Sequence, residues 1–312
     1  MSFSLETKSE LCHIKIKNRS CILAALAAWI RVCGSLQIIT HGKKRIKIKT
    51  ESYFIARWGI ALAKRLFDIE AEIFIKERKR LGKNKSFSIL FGGNDILKLI
   101  YAIGLLKREN NGLMINYGIP EELVKNECCK RAFLRGLFIG AGSMSSPDKG
   151  YHLEIVLNNK ILFDDAKKII EELSVNIKST TRKSRYILYL KESEKITTLL
   201  TLMGAQSAIL EFESIKVYKD FRNNLNRQVN CETGNIQKTV TAASRQIQNI
   251  KKIINAGMFD SLSNDLRITA EARVNNPDST LAELANMISL DISKSGINHR
   301  LRKLEDIADN IK

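Results

Sequence analysis

Two small-residue-rich, helix-forming segments about a hundred residues apart repeat one pattern, and this duplication constrains the fold more than any other feature. Residues 21 to 36 read CILAALAAWIRVCGSL, whose Ala and Leu content predicts a helix capped at Gly34. Placing Gly34-Ser35 on Gly142-Ser143 sets an offset of 108 residues, under which Ala24, Ala28 and Val32 fall on Ala132, Gly136 and Gly140. Each trio is spaced i, i+4, i+8 and lines one helix face. Side chains this small let two backbones approach closely, so the two helices are expected to pack along these faces, with Ala24, Ala28, Ala132, Gly136 and Gly140 at the contact.

The elements around each helix repeat in the same order. After the first, Leu36 to Thr40 and Arg45 to Thr50 alternate as strands about His41-Gly42-Lys43-Lys44, residues 53 to 66 are helical, residues 71 to 91 give two strands about a basic turn, and Asp95 to Lys107 is helical. After the second come a strand at Tyr151 to Leu157, a helix at Lys160 to Leu173, strands at Val175 to Thr181 and Tyr186 to Leu190, and a helix at Glu192 to Leu202. Two αββαββα units are expected, and a duplication of this size predicts a pseudo-two-fold α+β domain. The first unit with its insert takes residues 1–125 and the second 126–206. Residues 207–235 read as a helical connector, broken around Asn230 to Asn235, and 236–312 as an all-α domain.

Residues 277 to 304 read PDSTLAELANMISLDISKSGINHRLRKL. Ser279 or Thr280 caps a helix bearing Leu281, Leu284, Ala285 and Ile288. Ser293 opens a second whose apolar stripe is Ile297, Leu301, Leu304 and Ile307 or Ala308. This is a helix-turn-helix pattern. Opposite the stripe lie Lys294, Ser295, Asn298, His299 and Arg302, types that bond phosphates and base edges in the major groove. A helical hairpin can also bind protein, and Gly296 inside a helix calls for a close backbone approach to the first helix or to DNA.

The charge supports a polyanionic partner. Lys and Arg total 51 against 33 Asp and Glu, net +18; residues 222–312 hold 13 basic and 10 acidic side chains, which leaves +15 on residues 1–221. The six cysteines form no C-x-x-C pair and have no His at zinc-ligand spacing, so they read as reduced structural thiols in a cytoplasmic protein, with no metal and no cofactor expected. The longest apolar run, Cys21 to Ile30, is ten residues, too short to span a bilayer.

The segments LAAWIRVCGS and LRGLFIGAGS resemble the paired motif of LAGLIDADG homing endonucleases. The chain as a whole, most specifically FLRGLFIGAGSMSSPDKGYHLEI with SKSGINHRLRKL, resembles the WhiA family of sporulation-associated bacterial transcription regulators. In the nucleases, an acid before the final glycine of each motif holds divalent metal against the scissile phosphates. The matching positions are Cys33 and Ala141, and the motif's other acidic position is Arg31 in one copy and Ile139 in the other. No hard oxygen ligand is available from these side chains, so the resemblance implies a scaffold that has lost cleavage. Asp148 lies nearby, in a Pro-Asp-Lys-Gly sequence that reads as a turn.

The resemblance also implies that the strands form a saddle over duplex DNA. On it would lie Lys43, Lys44, Arg45, Lys47 and Lys49, and the basic turn of Lys76, Arg78, Lys79, Arg80, Lys83 and Lys85. Alternation with Ile46 and Ile48 puts Lys47 and Lys49 on one sheet face, suited to phosphate contact; the competing reading is an edge strand protected by lysines. The function expected is a sequence-specific transcription regulator of cell-division or sporulation genes. Its partners would be double-stranded DNA in the nucleoid and a protein of the transcription machinery or another regulator, with no membrane. The alternatives are an active endonuclease, a nuclease-derived RNA-processing factor, or a nucleoid protein without sequence preference.

Overall fold

The structure, a computed structural model, describes residues 2–39, 44–77, 85–93, 95–109, 112–288 and 292–311. It divides into two units, Met1–Lys219 and Asp220–Lys312.

The first unit is the duplicated α+β domain. Its first copy runs α2 (Arg19–Cys33), β1 (Gly34–Ile38), β2 (Lys44–Thr50), α3 (Tyr53–Phe67), β3 (Ala71–Glu77), β4 (Lys85–Phe91) and α4 (Ile96–Ala102). The second runs α5 (Glu127–Ala141), β7 (Gly142–Met144), β8 (Leu153–Leu157), α6 (Lys160–Glu172), β9 (Lys178–Arg182), β10 (Arg185–Leu190) and α7 (Ser193–Met203). The two four-stranded antiparallel sheets share one strand order, β1-β2-β4-β3 and β7-β8-β10-β9. Each sheet buries one face under helices: Ile46, Ile48, Ile89 and Phe91 in the first, Leu153, Ile155 and Leu188 in the second, all fully buried.

Gly34 and Gly142 end the paired helices, but not through a left-handed cap. Their backbones are extended (φ −98°, ψ 156° and φ −79°, ψ 152°), so each helix passes straight into a strand while the glycine N–H still donates to Ile30 or Phe138. Glycine is required for space: a Cβ would lie 2.4 Å from the Ile30 carbonyl oxygen and 2.2 Å from the Phe138 ring.

Three elements differ from the sequence reading. A helix α1 (Phe3–His13) precedes the first copy, capped by the Ser2 side chain, and buries Phe3, Thr7 and Leu11; the buried Thr7 hydroxyl donates to the Phe3 carbonyl (2.9 Å). The helix expected over Asp95 to Lys107 stops at Ala102, because Gly104 takes φ +62° with Pro120 packed where a Cβ would stand. A hairpin of β5 (Leu106–Glu109) and β6 (Gly112–Ile115) follows. Third, the break expected around Asn230 to Asn235 is absent. One helix, α8 (Gln206–Asn255), runs through it, since with no proline the ladder of backbone bonds is intact and Gly234 alone costs only about 1 kcal/mol. The division between the units falls inside this helix, which also contains residues 207–235.

In the second unit the end of α8 packs with α9 (Asn264–Asn275), α10 (Leu281–Ile288) and α11 (Lys294–Asp309) around Ile250, Ile253, Leu284, Ile297, Leu301 and Leu304. Thr280 and Glu283 form a reciprocal capping box at the start of α10: the Thr280 N–H donates to the Glu283 carboxylate (2.7 Å) and the Glu283 N–H to the Thr280 hydroxyl (3.3 Å). Arg273, 2% exposed, donates to the Ser279 carbonyl at 2.7 Å and holds the α9–α10 connection. Among the described residues no helix is long and apolar enough to cross a membrane.

Candidate nucleic-acid interface

The interface rests on the α2–α5 pair. Ala24, Ala28 and Ala132 are buried, and the helices are closest at two glycines: a Cβ on Gly136 would lie 2.2 Å from the Ala25 carbonyl oxygen, and one on Gly140 2.2 Å from Val32 Cγ2. Any larger residue at Gly136 would push against backbone, which cannot rotate away.

At the end of this pair stand the two positions that carry metal-binding acids in the endonuclease motif. Cys33 donates its thiol to the Gly140 carbonyl (3.5 Å), and burial pushes the thiol up to about 11. It is therefore neutral and hydrogen-bonded near pH 7, and Ala141 offers no donor. Arg31 turns inward, with Nε donating to Gly118 (3.1 Å) and the two terminal nitrogens to Gly104 (3.1 Å) and Ala27 (3.2 Å); burial lowers its pKa to about 10, against the favourable field of Asp165. Ile139 is buried core. An ammonium, Lys8 of α1, shares an open cavity of about 620 Å³ with Cys33, Lys49 and Gly140. Burial lowers the Lys8 pKa, with the neighbouring Cys33 and Cys12 acting in the opposite sense. The motif positions themselves offer no oxygen ligand for a hard divalent ion, and the cavity's described lining has one carboxylate, Glu51, beside Lys8, Lys49 and Lys85. Asp148 lies in the turn after Pro147; it is fully exposed, and a hydrogen bond from Ser146 holds its carboxyl below the usual range.

The open faces of the sheets carry the cations. In β2, Arg45, Lys47 and Lys49 alternate with the buried Ile46 and Ile48. Register places Gln37 beside Arg45, Leu90 and Ser35 beside Lys47, and Ser88 beside Lys49. On the edge strand β3, Lys76 pairs with Ser86, and Phe74, 53% exposed, pairs with Ser88 on the same face. Glu72 is the one acid at the described positions of this face. Lys44 and Lys85, expected with these cations, instead begin β2 and β4 in phase with the buried Ile46 and Phe87, on the side of the sheet away from Lys47 and Lys49; Lys44 is half-buried and Lys85 exposed. Lys43, Arg78, Lys79, Arg80 and Lys83 lie outside the described residues.

The second sheet has an open face that the sequence reading did not single out. Tyr189 lies opposite Lys178 and Glu154, Ile187 opposite Thr180, and Arg185 opposite Arg182. The alternation of Arg185, Ile187 and Tyr189 with Tyr186, Leu188 and Leu190 was the available signal. Its two-residue turn uses Lys183 and Ser184 at φ +48° and +61°, without the Asn-Gly that such turns favour.

In the second unit, Lys294, Ser295, His299 and Arg302 of α11 are exposed and Asn298 is half-buried, while Ile297, Leu301 and Leu304 point into the core. Ser295, Asn298, His299 and Arg302 follow helical spacing along one face. Ser293 caps the helix, its hydroxyl accepting from the Gly296 N–H (3.2 Å). Gly296 makes no close approach to α10: a Cβ would meet only Ile292 Cγ2 at 3.3 Å and the Ser293 hydroxyl at 3.7 Å.

Fold and surface define a class: a duplicated LAGLIDADG-like scaffold, with its motif acids replaced, followed by a helical domain carrying a helix-turn-helix. Family models resolve the chain within that class. The WhiA N-terminal LAGLIDADG-like domain matches residues 19–106, the WhiA LAGLIDADG-like domain residues 130–222 and the WhiA C-terminal HTH domain residues 225–308. The chain belongs to the WhiA family. It is 45% identical over 313 residues to the "Probable cell division protein WhiA" of Alkaliphilus metalliredigens, covering 99% of this chain and 98% of the relative. The crystal structure of full-length WhiA from Thermatoga maritima has the same fold, with a TM-score of 0.62 at 24% identity, covering 100% of this chain and 99% of that one. That of the N-terminal LAGLIDADG domain of WhiA matches with a TM-score of 0.51 at 22% identity, over 65% of this chain and 90% of that one.

Proposed function

We propose that this chain is a sequence-specific DNA-binding regulator of transcription that does not cut DNA, and that α11 reads the sequence in the major groove. The observation that carries the reading is the division of α11 into a buried apolar stripe and a face of Lys294, Ser295, Asn298, His299 and Arg302, in a chain of net charge +18. The cell-division name of its relatives suggests promoters of cell-division genes, and the resemblance read from the sequence adds sporulation genes. The basic sheet faces add affinity that is tolerant of sequence. Regulation by this route places the protein on the nucleoid, with the transcription machinery or a second regulator as its protein partner.

Crosslinking across the genome supplies the operator. On that site Asn298→Ala or Arg302→Ala should cost about 1 to 3 kcal/mol of binding while sparing random DNA, provided the side chain makes a good base contact. Equal losses on both DNAs reject base reading by that residue. For the absence of cleavage, bound operator and random duplex are incubated with Mg²⁺ or Mn²⁺; the duplex should remain intact, and scission by the pure protein defeats this part of the proposal. Cys33 and Ala141 leave no carboxylate at the motif positions to hold an ion or activate water.

A further inference from the structure

Where the paired helices begin, the fold gathers thiols that the sequence keeps far apart. Cys21 lies in the first turn of α2, and Cys128 and Cys129 in the first turn of α5. Cys21 Sγ and Cys129 Sγ are 3.8 Å apart, and the three Sγ atoms all lie within 4.8 Å of one another. Cys21 and Cys129 are related by the same 108-residue offset that relates the two helices, so they face each other across the pseudo-two-fold axis. Both are buried, whereas Cys128 is exposed.

We propose that Cys21, Cys128 and Cys129 form a binding site for a soft, thiophilic d¹⁰ cation, Zn²⁺ or Cu⁺. Zinc–thiolate bonds of about 2.3 Å hold sulfurs roughly 3.8 to 4.0 Å apart in tetrahedral or trigonal geometry, the separation Cys21 and Cys129 already have. Three sulfurs with no oxygen or nitrogen among them select soft ions over Mg²⁺, Mn²⁺ or Ca²⁺. Among the described residues this is the one group of three or more His, Cys, Asp or Glu side chains with donor atoms close enough to share an ion. The exposed Cys128 gives the entry path and leaves the side on which Zn²⁺ would take water as fourth ligand; Cu⁺ is satisfied by the three sulfurs.

Each thiol that binds gives its proton to solvent, three protons per ion, leaving a net charge of −1 with Zn²⁺ and −2 with Cu⁺. The amino-terminal ends of α2 and α5 both favour that charge, as does Arg135, whose guanidinium lies in the electrostatic field of Cys21. A bound ion ties the starts of the two motif helices together. It therefore stabilises the first unit by mass action, in a place remote from the replaced acids at the other end of the pair.

The test uses the reduced full-length protein, titrated in separate arms with Zn²⁺, Cu⁺ and, as a spectroscopic stand-in, Cd²⁺. One ion per chain is expected, with a thiolate-to-cadmium charge-transfer band that saturates at one equivalent. Because thiolates bind Cu⁺ more tightly than Zn²⁺ at any such site, the zinc and copper arms are each run against a competing chelator, and the arm that fills the site at buffered free-ion levels names the ion. Cys128→Ser, an exposed site that leaves the buried pair in place, should weaken binding by more than the roughly 10- to 100-fold that loss of an outer-shell partner costs. Cys231→Ser, exposed in the second unit, should change nothing. Absence of a stoichiometric band overturns the proposal, and so does a band that survives Cys128→Ser. A reduced protein that binds no ion but forms a Cys21–Cys129 disulfide in air, two hydrogens lighter by mass, equally overturns it in favour of a redox pair.

Discussion

At the scale of single residues, glycines do opposite work in the two units, and substitution should separate them by sign. Gly136 is held against the Ala25 carbonyl, where a Cβ would come within 2.2 Å of a backbone oxygen, so Gly136→Ala must part the motif helices. Overpacking of this kind costs about 1 to 3 kcal/mol. Gly234 sits in α8 with nothing within 4 Å of its Cβ position, and Gly234→Ala should instead stabilise by about 1 kcal/mol through helix propensity. The chain's two tryptophans, Trp29 and Trp58, meet edge to face at 5.7 Å in the core of the first unit, so urea unfolding by fluorescence reports that unit alone. The Gly136→Ala midpoint should fall on that probe, and the Gly234→Ala melt by circular dichroism should rise. A neutral Gly136→Ala would mean that the helices are not in contact there.

At the scale of elements, local rules made some of the molecule legible and hid the rest. The motif helices were readable because small residues recur at the helical period and end in Gly-Ser, and β2 because Ile46 and Ile48 alternate with cations. Helix α1 was missed because its buried stripe passes through Thr7, which is tolerated in the core only by bonding the Phe3 carbonyl. The β5–β6 hairpin was missed because the segment before it keeps helical spacing until Gly104 turns left-handed against Pro120. The thiol cluster was within reach, since the 108-residue offset applied to Cys21 lands on Cys129, but pairwise spacing along the chain does not show a contact across a pseudo-two-fold axis. Gly296 shows the reverse limit: its sequence position suggested a close approach to the first helix or to DNA, and among the described residues its Cβ position meets Ile292 and Ser293 rather than α10, which leaves the approach to DNA as the expectation. The α10 capping box gives the element-scale prediction. Thr280→Ala removes the acceptor for the Glu283 N–H, and loss of a Thr cap costs about 1 kcal/mol, within roughly 0.5 to 2. The melt of the second unit should drop accordingly, while the fluorescence transition of the first unit stays in place.

At the scale of the whole molecule, the uneven charge sets how affinity and specificity divide. Residues 1–221 carry +15 of the net +18, while residues 222–312, with the base-reading candidates of α11, carry +3. If the sheet faces turn part of that charge into phosphate contacts, as proposed, the contacts have a signature base reading lacks: each one releases counterions and steepens the fall of log K with log salt by about 0.9. In β2, Arg45, Lys47 and Lys49 stand on the open face, and their replacement leaves the buried Ile46 and Ile48 undisturbed. Full-length protein with all three changed to Ala should therefore lose up to roughly 2.7 in the magnitude of the salt slope and weaken equally on operator and random duplex. Arg302→Ala should do the opposite, lowering operator affinity with random binding retained. A companion variant at Arg78, Lys79 and Arg80, which lie outside the described residues, applies the same measurement to the basic turn. A mere change of long-range field also lowers affinity, but contact at the phosphates removes steps in the slope that a distant charge does not. If slope and affinity both stay at the parent values, these cations are a solvated sheet face, since β2 lies between β1 and β4 and is not the edge strand its lysines suggested, and the helix-turn-helix is left as the DNA-binding element of the chain.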